Sequence, residues 1–221
     1  MDSIPLVIRA MKKHLRHTRG AVLTEISKTR DPFKVLISCI LSLRTKDATT
    51  EAASERLYNL ADTPENMVKL PAHTIEKAIY PVGFYRTKAR QIKEICKRLI
   101  DEYHGRVPAA FDELMAFKGV GRKTANIVVV YGFNKPGMPV DTHVHRIANR
   151  LGWVTTKTPE KTEEALRALV PQRYWKELNN LFVTFGQNVC TPVRPHCLTC
   201  SVQPLCAFGK TYMQQLQRLK K

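Results

Sequence analysis

The sequence predicts an all-α fold. Three observations carry that expectation. Apolar residues recur at i, i+3, i+4 and i+7 along most of the chain. Several of these runs open on helix-start signals such as Asp-Pro or Thr-Pro. No set of alternating apolar segments supplies the partners a sheet would need.

The elements follow in order. "MDSIPLVIRAMKKHLRH" reads as an amphipathic helix starting near Pro5, with Leu6, Val7, Ala10 and Met11 on one face. In "DPFKVLISCILSLRTKD", Phe33, Leu36, Ile37, Ile40 and Leu41 share a face behind Asp31 and Pro32, with Cys39 in the apolar wall. "TPENMVKL" and "TPEKTEEALRAL" each present Thr then Pro, an N-cap followed by the first helical position. "TKARQIKEICKRLIDEY" is an amphipathic helix ended near Gly105 and Pro108, and it places Cys96 in a core. "NIVVVYGF" has strand propensity. It nevertheless continues from "KTAN" without a breaker, and a buried helix can be apolar all round, so helix is expected. "FNKPGMPVD" reads as a linker, and a second change of composition comes at Cys190.

The 221 residues carry 36 Lys and Arg against 19 Asp and Glu, a net charge of +17. That excess exceeds what solubility requires and makes nucleic acid the first partner to consider, ahead of an anionic membrane surface. No apolar run approaches the ~20 residues of a membrane span. No signal or transit peptide is seen, so an intracellular protein is expected, with its six cysteines reduced or metal-bound.

Three constellations carry chemistry. The first is "CTPVRPHCLTCSVQPLC", with Cys190, Cys197, Cys200 and Cys206 spaced C-x6-C-x2-C-x5-C. Four thiols in a short stretch suit a metal. Spacing alone leaves zinc and an iron–sulfur cluster both open. The second is "AFKGVGRKTANIVVVYGF". A glycine turn at Gly119 and Gly121 leads into a helix whose first N–H groups suit a phosphate, with Lys118, Arg122 and Lys123 adding charge. The plainer reading is an ordinary connection between helices, and for Lys123 a phosphate-binding role. Yet an ammonium in the first turn faces the helix dipole and Arg122, conditions that favour a nucleophilic amine. The third is "PVDTHVHRIANRLGW", where Val144, Ile147, Ala148 and Leu151 form a helical face and Asp141 stands at the N-cap. One carboxylate oxygen can cap while the other faces a ligand. His143 and His145 could reach phosphate.

Together these motifs resemble the endonuclease III family of helix–hairpin–helix DNA glycosylases, over essentially the whole chain. "GVGRKTAN" is similar to the family hairpin and its lysine, "VDTHVHRIANR" to the segment with the family aspartate, and the four cysteines to the family cluster motif. The resemblance implies two all-α lobes with DNA in the cleft between them. One is a six-helix barrel with the helix–hairpin–helix motif, residues 25–135. The other is a helical lobe of residues 1–24 and 136–221 carrying the cluster loop. It implies one [4Fe-4S] cluster on Cys190, Cys197, Cys200 and Cys206 rather than zinc. It also implies a bifunctional glycosylase and abasic-site lyase that removes oxidised pyrimidines from double-stranded DNA in base excision repair, as a monomer. Lys123 is then the nucleophile at C1′ and Asp141 the acidic partner. DNA contacts are expected from Gly119, Val120, Gly121, Arg122, His143 and Arg194. Arg44 stands where many relatives carry a gap-filling glutamine. Phe84, in "VGFYRTKA", is the candidate wedge, with a core aromatic as the plainer reading. Phe117-Lys118 replaces the commoner Leu-Pro before Gly119, which adds a cation and leaves the turn intact. The alternatives are a mismatch or uracil-type glycosylase of the same superfamily, and a non-catalytic metal-containing DNA-binding protein.

Overall fold

A computed structural model describes residues 3–18 and 30–219, with side chains described as far as residue 215. The expected lobe boundary at 24/25 and the end of the basic tail lie outside the described residues. Every regular element among the described residues is helical. The chain divides into two compact units, Val22–Gly137 and Met1–Ala21 with Met138–Lys221.

The first unit is organised around a helix buried on all sides, α2, Pro32–Ser42. Asp31 caps it as its sequence suggests: Oδ1 accepts from the backbone N–H of Phe33 at 2.9 Å and of Lys34 at 3.2 Å. Leu36, Ile37, Ile40 and Leu41 are fully enclosed. Each such side chain contributes about 1.5–3 kcal/mol by leaving water. Around α2 stand α3 (Asp47–Leu60), α4 (Pro64–Lys69), α5 (Ala72–Ile79), α6 (Tyr85–Tyr103), α7 (Phe111–Met115) and α8 (Arg122–Ile127). Helix α6 buries Ala89, Ile92, Ile95, Cys96 and Leu99 along one stripe and ends on His104 and Gly105, both left-handed. Burial pushes the Cys96 thiol up to about 12, which marks it as a core residue.

The expected helix over "NIVVVYGF" is present, but its second half is a π-turn, Val128–Gly132. The Phe133 N–H donates five residues back to Val128 O at 3.3 Å. Three successive valines, which crowd a regular helical turn, occupy the widened segment.

The second unit contains α1 (Ser3–His14), α9 (Thr142–Leu151), α10 (Pro159–Leu169), α11 (Trp175–Asn188) and α12 (Ala207–Leu219). Helix α1 buries Ile4, Val7, Ile8 and Met11, a strict i, i+3, i+4, i+7 stripe, and leaves Leu6 half exposed. The face expected from sequence is therefore rotated, because Ile4 and Ile8 extend the stripe through Val7 and Met11 and Leu6 does not. Helix α9 buries the four residues expected of it. No helix among the described residues is long and apolar enough to cross a membrane.

Candidate DNA-repair site

In the first unit, Gly119 takes φ +78, where an added Cβ would also strike the Gln91 amide. This turn therefore needs glycine. Gln91 supports it by donating from Nε2 to Lys118 O at 2.7 Å. Lys118, the added cation, is exposed and lies 3.5 Å from a Glu94 carboxylate oxygen, a surface pair of small energetic weight. Gly121 differs from Gly119. Its backbone is extended, and a Cβ there would meet no protein atom within 4 Å, so the fold itself does not demand glycine. Val120 packs its side chain into the core, so only its backbone faces outward chemistry. The Arg122 guanidinium lies 5.1 Å from the Phe111 ring centre.

Lys123 follows in the first turn of α8, half-buried. Its surroundings are marked by Cys39 on α2. Burial pushes that thiol up to about 12, and the positive charge of Lys123 works against the shift. Lys123 thus lies near enough to the enclosed Cys39 for its charge to be felt there.

Arg44 and Phe84 are brought together. Both adopt left-handed backbone conformations, φ +55 and +58, which are uncommon for side-chain-bearing residues. Phe84 is 61% exposed, which removes the core reading. The Arg44 guanidinium lies 5.0 Å from its ring centre. Lys88, which no sequence argument had singled out, sits beneath. It is 5% exposed and donates from Nζ to Leu41 O at 2.8 Å, Leu43 O at 2.6 Å and Thr45 Oγ1 at 3.3 Å. Its signal was available: a lysine in register with the Ala89–Ile92–Ile95–Leu99 stripe.

In the second unit, Asp141 is the N-cap of α9. A single oxygen, Oδ1, accepts from the N–H groups of His143 and Val144, both at 2.9 Å. His143 Nδ1 lies 3.1 Å from Arg146 Nη2. His145 turns inward instead, with Nδ1 2.6 Å from Thr162 Oγ1, and ties α9 to α10.

The four cysteines line one pocket, walled by Met11, Phe185, Val189, Val202 and Phe208. Among the described residues no three His, Cys, Asp or Glu side chains stand together in metal-coordinating geometry. Two arginines of α9 hold the start of the cysteine segment, and sequence reading missed both. Arg146 donates to Cys190 O at 2.8 Å, and Arg150 donates to Cys190 Sγ at 3.3 Å, Thr191 O at 2.7 Å and Pro192 O at 2.7 Å. Their signal was an i, i+4 cation pair on the polar face of an amphipathic helix. Gly209 N–H donates to Cys206 Sγ at 3.4 Å. Burial raises the thiols of Cys197, Cys200 and Cys206, and neighbouring cysteine sulfurs add to each rise. Arg194 is exposed within this segment, where its carbonyl accepts from Thr191 Oγ1 at 2.6 Å.

Comparison with known proteins gives a consistent picture. A family model described as the HhH-GPD superfamily base excision DNA repair protein matches residues 37–172. Endonuclease III of Thermotoga maritima is 49% identical, over 82% of this chain and 85% of that protein. The chloroplastic endonuclease III homolog 2 of Arabidopsis thaliana is 46% identical over 81% of this chain, which spans 49% of that longer relative. A solved trapped endonuclease III–DNA covalent intermediate superposes with a TM-score of 0.83 at 34% identity, covering 96% of this chain and 98% of that one.

Proposed function

This chain belongs to the endonuclease III family, within the HhH-GPD superfamily of base excision DNA repair proteins, and from that premise we propose how its residues remove a damaged base and cut the strand. It is a bifunctional DNA glycosylase and abasic-site lyase. The substrate is duplex DNA carrying an oxidised pyrimidine, bound by one copy of the chain inside the cell. The Gly119–Gly121 turn grips a backbone phosphate through its N–H groups, and the open side of Gly121 lets that phosphate approach. Arg122, His143 and Arg194 supply further DNA contacts.

The damaged nucleotide leaves the stack. Lys123 Nζ then attacks C1′ as the bond to the base breaks and the base departs with a proton. Cationic character develops on the sugar, and the Asp141 carboxylate stabilises it. Its Oδ1 is fixed by the helix cap, so the group is oriented before reaction. Ring opening leaves a Schiff base on Lys123. Loss of a proton from C2′ and departure of the 3′ phosphate complete β-elimination. The observation that supports the assignment is the position of Lys123, in the first turn of the helix that follows the glycine turn and within electrostatic reach of the buried Cys39.

Cys190, Cys197, Cys200 and Cys206 would hold one [4Fe-4S] cluster. The donor set fits: all four are thiols around one pocket, burial and neighbouring sulfurs disfavour ionisation of Cys197, Cys200 and Cys206, and a cation among them relieves this. N–H groups from Arg150 and Gly209 already point at two of the sulfurs. Bound there, the cluster would supply a crosslink that shapes the segment bearing Arg194.

The test is covalent capture. Duplexes each carrying one lesion are incubated with protein and chelator, then borohydride is added. Adducts are expected with oxidised pyrimidines and abasic sites. Lys123→Gln should form none while binding DNA nearly as well, because glutamine keeps a similar stem and a donor. An adduct that persists in this variant would assign the nucleophile elsewhere.

A further inference from the structure

The segment that carries Arg44 and the one that carries Phe84 are distant in sequence, yet three groups join them on the buried side of the exposed pair. Lys88 Nζ donates to Leu41 O and Leu43 O at the end of α2 and to Thr45 Oγ1 just beyond Arg44. The Gly83 N–H donates to the same Thr45 hydroxyl at 3.1 Å. Gly83 itself has no room for a side chain: a Cβ would fall 2.8 Å from Arg44 O. Lys88 also closes the first turn of α6 by donating from its backbone N–H to Phe84 O at 3.0 Å. One side chain therefore spans both segments, and above it the Arg44 guanidinium faces the Phe84 ring.

An ammonium has three N–H bonds and no lone pair. Here it meets three acceptors, two of them carbonyls at the end of α2, of which Leu43 O also accepts from Thr45 Oγ1 at 3.3 Å. A lysine in a core stripe is costly unless its head is satisfied. Arg44 and Phe84 both hold a backbone conformation that side chains rarely adopt, and such conformations persist where the surroundings fix them. Burial of the lysine, the shared threonine, the glycine contact and the paired left-handed residues all point to one device.

We propose that Lys88 is a positioning residue for duplex opening, which locks the Thr45 loop to the start of α6 so that Arg44 and Phe84 enter DNA as one preassembled wedge. This rests on the reading of Arg44 and Phe84 as residues that open the duplex. Preassembly removes the cost of ordering two separate side chains during entry. A planar guanidinium already stacked on an aromatic ring matches the stack it must replace.

The experiment compares single-turnover rates on a base-paired oxidised pyrimidine with those at a preformed abasic site. Opening is followed by the fluorescence of 2-aminopurine beside the lesion. Arg44→Ala and Phe84→Ala should lower the ratio of the two rates. Lys88→Met should lower it by about tenfold and reduce the fluorescence rise, because unstacking costs a few kcal/mol that the wedge offsets. The double variant Lys88→Met with Arg44→Ala should open DNA no worse than Arg44→Ala alone, since residues acting as a unit are not additive. A parental ratio in Lys88→Met, or a loss that adds in full to that of Arg44→Ala, overturns the proposal. If Lys88→Met does not fold, Thr45→Val removes the hydroxyl shared by Lys88 and Gly83, and the same outcomes decide. If Arg44→Ala and Phe84→Ala keep the parental ratio, the wedge reading itself falls, and a Lys88 effect would then have another origin.

Discussion

Asp141 offers a test in which structural and chemical roles separate by magnitude. Its Oδ1 accepts two backbone N–H bonds at 2.9 Å, from His143 and Val144. Asp141→Ala removes both, and losing an N-cap costs about 1 kcal/mol, within a range of roughly 0.5–2. For a chain of this size, each kcal/mol lowers Tm by about 2–4 °C. Asp141→Asn keeps an amide oxygen in the same place and should melt within about a degree of the parent, because Asn caps about as well as Asp. Activity should follow a different order. With the negative charge gone, both variants should lose roughly a hundredfold in single-turnover glycosylase rate, equivalent to about 2.7 kcal/mol. The assay pairs thermal melts with single-turnover cleavage of one lesion duplex at saturating protein, so that weakened binding does not enter. If the asparagine variant runs within about threefold of the parent, and the alanine variant is slow only to the extent that it is unfolded, then Asp141 is a cap and its charge does no chemistry.

Three further outcomes are expected. Freshly purified protein should be yellow-brown and contain iron and sulfide, with serine at any of Cys190, Cys197, Cys200 or Cys206 lowering both; stoichiometric zinc without iron would overturn the cluster assignment. With about six phosphate contacts, DNA affinity should fall roughly a thousandfold between 50 and 200 mM salt, and a flat response would give the +17 charge another purpose. Burial draws the Lys88 ammonium down from 10.5 to about 8, so the folded chain binds fewer protons than the unfolded chain between those values. Lys88 therefore costs stability below about pH 8, and that cost disappears as pH rises toward 10.5. Lys88→Met should flatten this rise by up to about 3 kcal/mol in denaturant unfolding, and parallel pH curves for the two proteins would show that the buried charge is not strained.

The parts of the molecule legible in the sequence are those set by local rules. Asp31-Pro32, Thr63-Pro64 and Thr158-Pro159 announce caps because a short side-chain oxygen and a missing N–H each suit one end of a helix. The stripe of α9 is legible because enclosure on one side leaves a spacing of three and four, and α2 because an apolar run, enclosed on nearly all sides, follows a cap. The placement of Lys123 and Asp141 is legible because Lys123 lies two residues beyond a glycine turn and Asp141 immediately precedes a helix. The rotated face of α1 shows the limit of this approach: Leu6 and Ile8 are equally apolar, and the neighbours that cover Ile8 come from elsewhere in the chain.

The region around Arg44 and Phe84 lies beyond local rules for the same reason. Left-handed backbone is normally announced by Gly, Asn or Asp, and here an arginine and a phenylalanine adopt it. Neither side chain prefers that conformation, so the cause is in the surroundings. Beneath them lie Lys88, Thr45 and Gly83, whose bonds cross from the end of one helix to the start of another. Phe84 could thus be read as core or wedge, because an aromatic beside a glycine carries no signal for which way it points. Its exposure, 61%, excludes the core. Lys88 joins the loop beneath, and the ring stands outward against the guanidinium. A polar group in the core and an exposed aromatic thus meet at one junction of two distant segments, an arrangement that only the three-dimensional structure reveals.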